Sequence, residues 1–379
     1  MHRHRTWVEV SERALTHNIE TLRLLLEKNA RFCAVLKSNA YGHGLKEVAQ
    51  IAGRAGVDAF AVDSIDEALS LRALFPSSLI IVLGYTLFER YEDAIKSNIH
   101  LTLYDKEGIE QAESVAKQLA KQAQIHLKIE TGTSRQGVLK DDLLDLLKDL
   151  QRMPHVRLAG VSTHFANIED SSNPEYATLQ FSRFQEAVDA VRELGFDPEL
   201  VHCACSAAII LYPDTHATLV RAGISLYGLW SSELVQQTVR NQHLKCDLRP
   251  ALTWKTRVAQ VKSISMGTPV GYGLTEVMKR RGRIAVIPVG YFDGFDRGLS
   301  SVGEVLIRGC RCKVIGRICM NMCMVDVSSV PDIQKEDEVI LLGTEGRHVI
   351  SADDMAKKIG TINYEIVTRI NPIIPRLVI

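Results

Sequence analysis

The sequence predicts an N-terminal (β/α)8 barrel followed by a mostly antiparallel β domain, and three observations carry that expectation. Short apolar runs alternate with longer amphipathic ones over the first two thirds of the chain; there are eight such runs; and after about residue 240 strand-like segments dominate. Continuous apolar strands alternating with helices indicate a parallel sheet covered on its outside. Eight such units within about 230 residues suit a closed barrel better than an open sheet. A doubly wound sheet is the alternative, but no G-x-G-x-x-G follows any strand.

In chain order, residues 5–10 are strand-like, and Ser11 can cap a helix whose Leu15, Ile19, Leu22 and Leu26 recur at helical spacing. The eight β-runs cover residues 31–37, 59–62, 79–83, 101–104, 125–130, 156–163, 200–205 and 217–223. Helix-like segments at 45–55, 65–74, 107–121, 141–151 and 176–193 separate most of them. Beyond about residue 240 come TWKTRVAQV, GRIAVIPVGY, GEVLIRG, CKVIGRICMNMCMVDV and DEVILLG, with only residues 352–359 helical in pattern. The expected domains are therefore 1–238 and 239–379, with the first strand, about 5–10, available to the second. No Gly/Ser/Pro linker separates them, and there are no repeats.

Composition narrows the function. The 379 residues are 46% hydrophobic and 24% charged, which excludes disorder and small disulfide scaffolds. Lys plus Arg equals Asp plus Glu at 45 each, so no basic excess points to nucleic acid. The basic run at 279–283 reads as a solvated hairpin turn. Apolar stretches such as 79–83 and 284–292 fall far short of the roughly 20 residues that span a bilayer. MHRHRTWVEV has no signal-peptide core, so a cytoplasmic protein is expected, with neither a membrane nor a nucleic acid as partner. The eight cysteines (Cys33, Cys203, Cys205, Cys246, Cys310, Cys312, Cys319 and Cys323) read as free thiols, several inside apolar strands. Cys310-x-Cys312 and Cys319-x3-Cys323 offer a zinc alternative, but neither has the usual two-residue spacing, and no metal is expected.

In such a barrel, reactive groups gather at the C-terminal ends of the strands. Strand one ends in Lys37, followed by SNAYGHG. Strand five leads through Lys128 to Arg135, and strand six ends in Thr163-His164-Phe165. Strand seven holds His202 and ends in Cys205-Ser206-Ala207; strand eight ends in Arg221-Ala222-Gly223-Ile224. Two lysines and two arginines on one face call for anionic groups to neutralise them, such as a phosphorylated, carbonyl-bearing ligand and a carboxylated substrate. An amine at the end of an apolar strand is partly desolvated and suited to a Schiff base; a lysine that snorkels to the rim is the other reading of Lys37. Ser206, Gly223 and Ile224 could supply a hydroxyl and backbone amides to a phosphate, or form an ordinary turn.

AVLKSNAYGHG closely resembles the pyridoxal-phosphate attachment segment of alanine racemases. KIETGTSRQGV, GVSTHFA, VHCACSA, VRAGISLYG, VGYGLTE, IPVGYFDG, GRICMN and TINYE follow in that family's order. The resemblance implies pyridoxal 5′-phosphate as cofactor, alanine as substrate, and a head-to-tail homodimer with two shared active sites. It also implies interconversion of L- and D-alanine by two bases, supplying D-alanine for peptidoglycan. Carried over by position, Lys37 is the cofactor lysine and one base, and Tyr272 is the second base, contributed by the other subunit. Tyrosine is a weak base unless its phenolate is favoured, a role that falls to His164 and Arg221.

Arg221 matches the arginine facing the pyridine nitrogen, and Tyr41, Ser206, Gly223, Ile224 and Tyr364 match phosphate ligands. Arg135 matches the group that meets the substrate carboxylate, and Lys128 a lysine often N-carboxylated. His164 and His202 match supporting histidines, while Tyr291 and Met320 match the substrate entrance and pocket. Three positions depart from the pattern: Cys205 replaces a usual Asn, Asn321 a usual Asp, and Glu130 a commoner Asp. The first two bear on cofactor hold and substrate range. The rivals are a decarboxylase of the same architecture, which would pair the pyridine nitrogen with an acid, and a non-enzymatic cofactor-binding barrel, which would lack residues 240–379.

Overall fold

The first eight apolar runs after residue 30 pair side by side, all in parallel. They are β1 (Arg31–Val35), β2 (Ala59–Val62), β3 (Leu79–Val82), β4 (His100–Leu103), β5 (Ala123–Lys128), β6 (Val156–Ser162), β7 (Leu200–His202) and β8 (Leu219–Ala222). The computed structural model describes residues 3–379. Its ladder order is β7-β6-β5-β4-β3-β2-β1-β8. Between β7 and β8, backbone bonds from Thr218 N to Val201 O (3.1 Å) and from Arg221 N to Ala204 O (3.0 Å) join the two ends of the sheet. Strands buried on both faces carry no polar alternation, which is why AFAV and LIIV read as unbroken apolar runs.

The helices between strands bury one stripe each. Helix α1 (Glu12–Arg23) buries Leu15, Ile19 and Leu22; Leu26, expected as its next apolar position, lies past its end. Helices α2 (Leu45–Arg54), α3 (Ile65–Leu74), α4 (Tyr91–Lys96), α5 (Lys106–Gln118), α6 (Lys140–Leu150), α7 (Glu175–Glu193), α8 (Ser206–Leu211) and α9 (Glu233–Asn241) follow. Ser64 and Asp105 cap α3 and α5 by accepting from Glu67 N and Gly108 N. The short α4 and α8 have too few turns for a periodic signal, and the sequence pattern did not reveal them.

The chain divides into two compact units, and the division is not a single cut. The barrel unit comprises Ala14–Ser38 and Val48–Pro250. The other comprises the residues up to Arg13, Asn39–Glu47 and Ala251–Ile379. In that second unit nine strands pair in the order Gln260–Ile264, Gly282–Ile287, Cys323–Asp326, Cys310–Ile315, Glu304–Ile307, Glu338–Glu345, Leu252–Arg257, Thr6–Val10 and Arg376–Val378, with His348–Ile350 added on Glu338–Glu345. Every ladder is antiparallel except that between Thr6–Val10 and Arg376–Val378. Burial alternates along Leu252–Arg257, as expected for a strand with one face on the core. Trp7, Trp254 and Phe295 are fully buried there, the last two edge-to-face at 6.1 Å. Ser351 and Asp354 form a capping box on the helix Ala352–Ile359, and the helix Asn363–Thr368 carries the TINYE motif.

All eight cysteines are free, five of them buried. No helix among the described residues is long and apolar enough to cross a membrane.

Candidate active site

Strand β1 gives way to an unusual piece of backbone. Leu36 N still bonds to Ala61 O at 2.8 Å, and Lys37 comes next. Ser38, Asn39, Ala40 and Tyr41 then have φ of 56°, 55°, 52° and 51°, followed by Gly42 at 81° and Gly44 at 103°. Ser38–Tyr41 is thus a left-handed helical turn. L-residues resist this conformation by roughly 1–2 kcal/mol each, so surrounding structure must impose it. Asn39 helps, its Oδ1 accepting from Leu45 N (2.8 Å) and its carbonyl from Gly44 N (3.0 Å). Gly42 packs so tightly on the helix Asn363–Thr368 that a Cβ would stand 2.0 Å from Val367 O. The same helix holds Tyr364, whose ring lies 6.1 Å from that of Tyr41.

Within the barrel unit, the predicted residues of strands five to eight converge on Arg221. Its guanidinium is buried. Nη1 donates to His202 Nδ1 (2.6 Å) and His202 O (2.8 Å). Nη2 donates to Thr163 O (2.8 Å), Cys203 O (3.2 Å) and His164 Nδ1 (3.3 Å). Burial, reinforced by the Arg221 charge, holds His164 and His202 well below the ordinary histidine pKa, so both are neutral acceptors. Lys128 is buried too, and burial with the charges of Arg221 and Arg135 drives its amine well below the usual lysine range. Behind His202 stand His126 and His100, neither of which the motif reading singled out. Their signal was the presence of imidazoles inside the apolar runs HLTL and AQIHLK.

Arg135 sits on a loop organised by Glu130. One carboxylate accepts from Gly132 N (2.5 Å), Thr133 N (2.6 Å), Thr133 Oγ1 (3.1 Å) and Arg135 N (3.1 Å). Burial alone would raise its pKa, but the bonds from Gly132, Ser134, Arg135 and Thr133 outweigh it and hold Glu130 below the ordinary range. The longer side chain at this position therefore serves the loop fully.

A pyridoxal-phosphate site needs an anion pocket at the phosphate end, and the barrel has a donor set that fits. Ser206 Oγ accepts from Gly223 N (3.0 Å) and Ser225 N (3.3 Å), which leaves its own hydroxyl proton free to donate. Ser225 Oγ, in the same cluster, is buried and makes no hydrogen bond. Ile224 follows Gly223 on the same turn. Lys37, at the end of β1, and Arg221, on the adjacent β8, supply an amine and a fixed cation on this unit. Cys205, half-buried, stands just before Ser206.

The remaining predicted residues belong to the other unit. Tyr272 rides a tight turn between Gly271 and Gly273, at φ of 77° and 74°, and is 72% exposed. Tyr291 and Met320 are held side by side by bonds from Tyr291 N to Cys319 O (3.1 Å) and Phe292 N to Met320 O (3.0 Å). Gly290 allows that approach, since a Cβ there would lie 2.1 Å from Cys319 O. Asn321 follows, exposed.

Residues 10–231 match the model of the alanine racemase N-terminal domain, and residues 251–378 that of the alanine racemase C-terminal domain. An alanine racemase of Methanococcus maripaludis is 38% identical over 375 residues, covering 99% of this chain and 98% of that relative. The structure of an alanine racemase of Clostridium difficile 630 superposes with a TM-score of 0.94 at 35% identity, covering 100% of this chain and 97% of that one. A Bacillus anthracis alanine racemase solved with bound L-Ala-P superposes with a TM-score of 0.93 at 34% identity, covering 100% and 96%.

Proposed function

The chain belongs to the alanine racemase family and interconverts L- and D-alanine, and from that premise we propose that Lys37 and Tyr272 are its two bases, working with pyridoxal 5′-phosphate. The observation that carries this reading is the barrel cluster. An amine closes β1, a buried arginine on β8 is ringed by neutral histidines, and the Ser206 and Ser225 hydroxyls can donate to a phosphate. When bound, the cofactor supplies the electron acceptor that makes the α-proton of alanine acidic.

Lys37 Nζ would hold the cofactor and, once the substrate amine is bound in its place, would take or return the α-proton on one face. Inverting a stereocentre requires a second base on the opposite face, and Tyr272 Oη, from a second copy of the chain, fills that role. Arg221, whose charge is fixed, would be the residue that meets the cofactor's pyridine nitrogen, where a decarboxylase of this architecture would place an acid. By motif order, Ser206, Gly223 and Ile224 on the barrel unit would meet the phosphate, and Tyr41 and Tyr364 on the other unit match its remaining ligands. Arg135 binds the substrate carboxylate, and Tyr291, Met320 and Asn321 border its entrance. Lys128, whose ammonium form is disfavoured by burial and by the charges of Arg221 and Arg135, would be a nucleophile toward carbon dioxide, releasing a proton as the carbamate forms. The carbamate would gain the attraction of Arg221 and Arg135, the same charges that disfavour the ammonium form.

A homodimer is supported by the large apolar side chains that the β unit exposes, among them Tyr272, Leu274, Phe292, Met320 and Met322. Eight free thiols favour a reducing, cytoplasmic setting, and D-alanine would serve peptidoglycan synthesis. The test is circular dichroism of L-alanine and L-serine incubated with enzyme and cofactor. Alanine should lose its signal entirely. A faster loss from serine would overturn alanine as the preferred substrate and direct attention to Cys205 and Asn321.

A further inference from the structure

A chain of three imidazoles runs through the barrel interior from Arg221. His202 Nδ1 faces Arg221 Nη1 at 2.6 Å, His202 Nε2 faces His126 Nδ1 at 2.7 Å, and His126 Nε2 faces His100 Nδ1 at 3.0 Å. The backbone is shaped around the middle ring. The register of β5 on β6 slips between Ile125 and His126, skipping Ala159 and setting Gly160 opposite His126. A Cβ on Gly160 would lie 2.5 Å from His126 Nδ1 and 2.6 Å from Leu200 O, so only glycine leaves room for the imidazole where it stands.

The end of the chain dictates the direction of every bond in it. A guanidinium has donors and no acceptor. His202 Nδ1 must therefore accept, so His202 carries its proton on Nε2 and donates to His126 Nδ1. His126 in turn carries its proton on Nε2 and donates to His100 Nδ1. A proton added to His202 would set two donors face to face against Arg221. Burial, first of all, keeps the three rings neutral: His100 is lowered to about 4, and His126 and His202 fall well below their usual value. Arg221 presses on His126 and His202 in the same sense. Arg157 and Arg72 do so on His100, against Glu199. Bonds aligned this way polarise one another.

We propose that His126 and His100 are positioning residues for Arg221: they lock His202 in its Nε2-protonated tautomer and so fix the acceptor that holds the guanidinium in place. The chain is a brace and not a proton relay, because Arg221, from which it starts, has no proton it can give up. The inference rests on Arg221 being the cofactor-facing arginine, but its readout is independent of turnover.

Holoenzyme labelled with 15N-histidine and 15N-arginine tests it, since long-range nitrogen–proton correlations separate protonated from bare ring nitrogens. His202 is assigned by the signals lost in His202→Asn, and Arg221 by those lost in Arg221→Lys. The wild type should show His202 bare at Nδ1 and protonated at Nε2 from about pH 6 to about pH 8, with slow rotation of the Arg221 guanidinium. His126→Phe should mix the His202 tautomers and speed that rotation, and kcat for alanine should fall about tenfold with KM changed less. His126→Gln, which can both accept and donate, should restore part of the loss. Gly160→Ala should act like His126→Phe with all three histidines present. His100→Gln should give a weaker version, and it serves if changes deeper in the barrel prevent folding. A wild-type His202 protonated at Nδ1 overturns the proposal, as does an unchanged Arg221 signal in the variants that fold. Failure of the functional reading would show separately, as loss of Arg221 leaving the cofactor spectrum untouched.

Discussion

Gly42 and Val367 are in backbone contact so close that any side chain at Gly42 would collide with the Val367 carbonyl, 2.0 Å from the position of its Cβ. Since φ at Gly42 is also 81°, an alanine there carries two penalties at once. Gly42→Ala is expected to displace the helix bearing Tyr364 and to cost more than the roughly 1–2 kcal/mol of the left-handed backbone alone. Thermal denaturation should show a Tm lower by several degrees, and cofactor titration a weaker Kd. A variant with both values intact would mean that the turn tolerates a side chain.

Lys37→Ala is expected to abolish the visible absorption band of the bound cofactor together with activity. Tyr272→Phe should stop exchange of the α-proton on the L-substrate while leaving exchange on D-alanine measurable. Subunit exchange between the two inactive variants should recover activity if Tyr272 serves the neighbouring site. Well-mixed heterodimers that stay dead would place the tyrosine in its own subunit's chemistry.

If Arg221 faces the pyridine nitrogen as proposed, Arg221→Glu reverses the charge there, and a protonated ring is a stronger electron acceptor. Racemisation should slow by orders of magnitude while pyruvate, the product of misdirected protonation, accumulates faster than in the wild type. The check is a coupled pyruvate assay beside polarimetry. If cofactor stays bound and neither effect occurs, Arg221 has no electronic role.

Stability should fall with acid in a window set by the buried histidines. His43 and His100 are lowered from 6.5 to about 4, and His126, His164 and His202 fall well below 6.5, in each case mainly through burial. Below pH 6.5 the unfolded chain binds protons that the folded chain refuses, so the stabilisation present above that pH is lost as pH falls toward the folded-state values. Each such group contributes up to about 1.4 kcal/mol per pH unit to the slope. Denaturant midpoints measured between about pH 7 and about pH 5 should drop steeply, and His100→Gln should flatten the drop by one histidine's share. A flat profile across that range would contradict neutral burial.

The barrel was legible in the sequence because strands such as AFAV and LIIV are buried on both faces, which leaves them apolar without interruption. Lys37, Arg221 and Ser206 could be read as a charged and polar rim from strand ends alone. Their roles came from motif order, since nothing in the period of a strand distinguishes a cofactor lysine from a rim lysine. Tyr272 lay beyond pattern reading altogether, because it sits on a turn whose residues bury nothing. The left-handed run Ser38–Tyr41 was hidden for another reason: no glycine precedes Gly42, and the conformation is imposed by packing that no local preference announces. The His126 chain needed the skipped residue at Ala159, a feature of strand pairing that a single strand does not encode.

The interleaving of the two units has a consequence for biosynthesis. Strand Thr6–Val10 pairs with Leu252–Arg257 and Arg376–Val378, and residues Asn39–Glu47 group with the same late-made unit. On a ribosome adding about 5–20 residues per second, the earliest strand waits on the order of half a minute for its last partner. Barrel strands β1 to β8 emerge together and can close while that wait lasts. The backbone that follows Lys37 cannot settle until the helix Asn363–Thr368 has been made, so the nascent chain is committed to its scaffold well before the turn after Lys37 is in place.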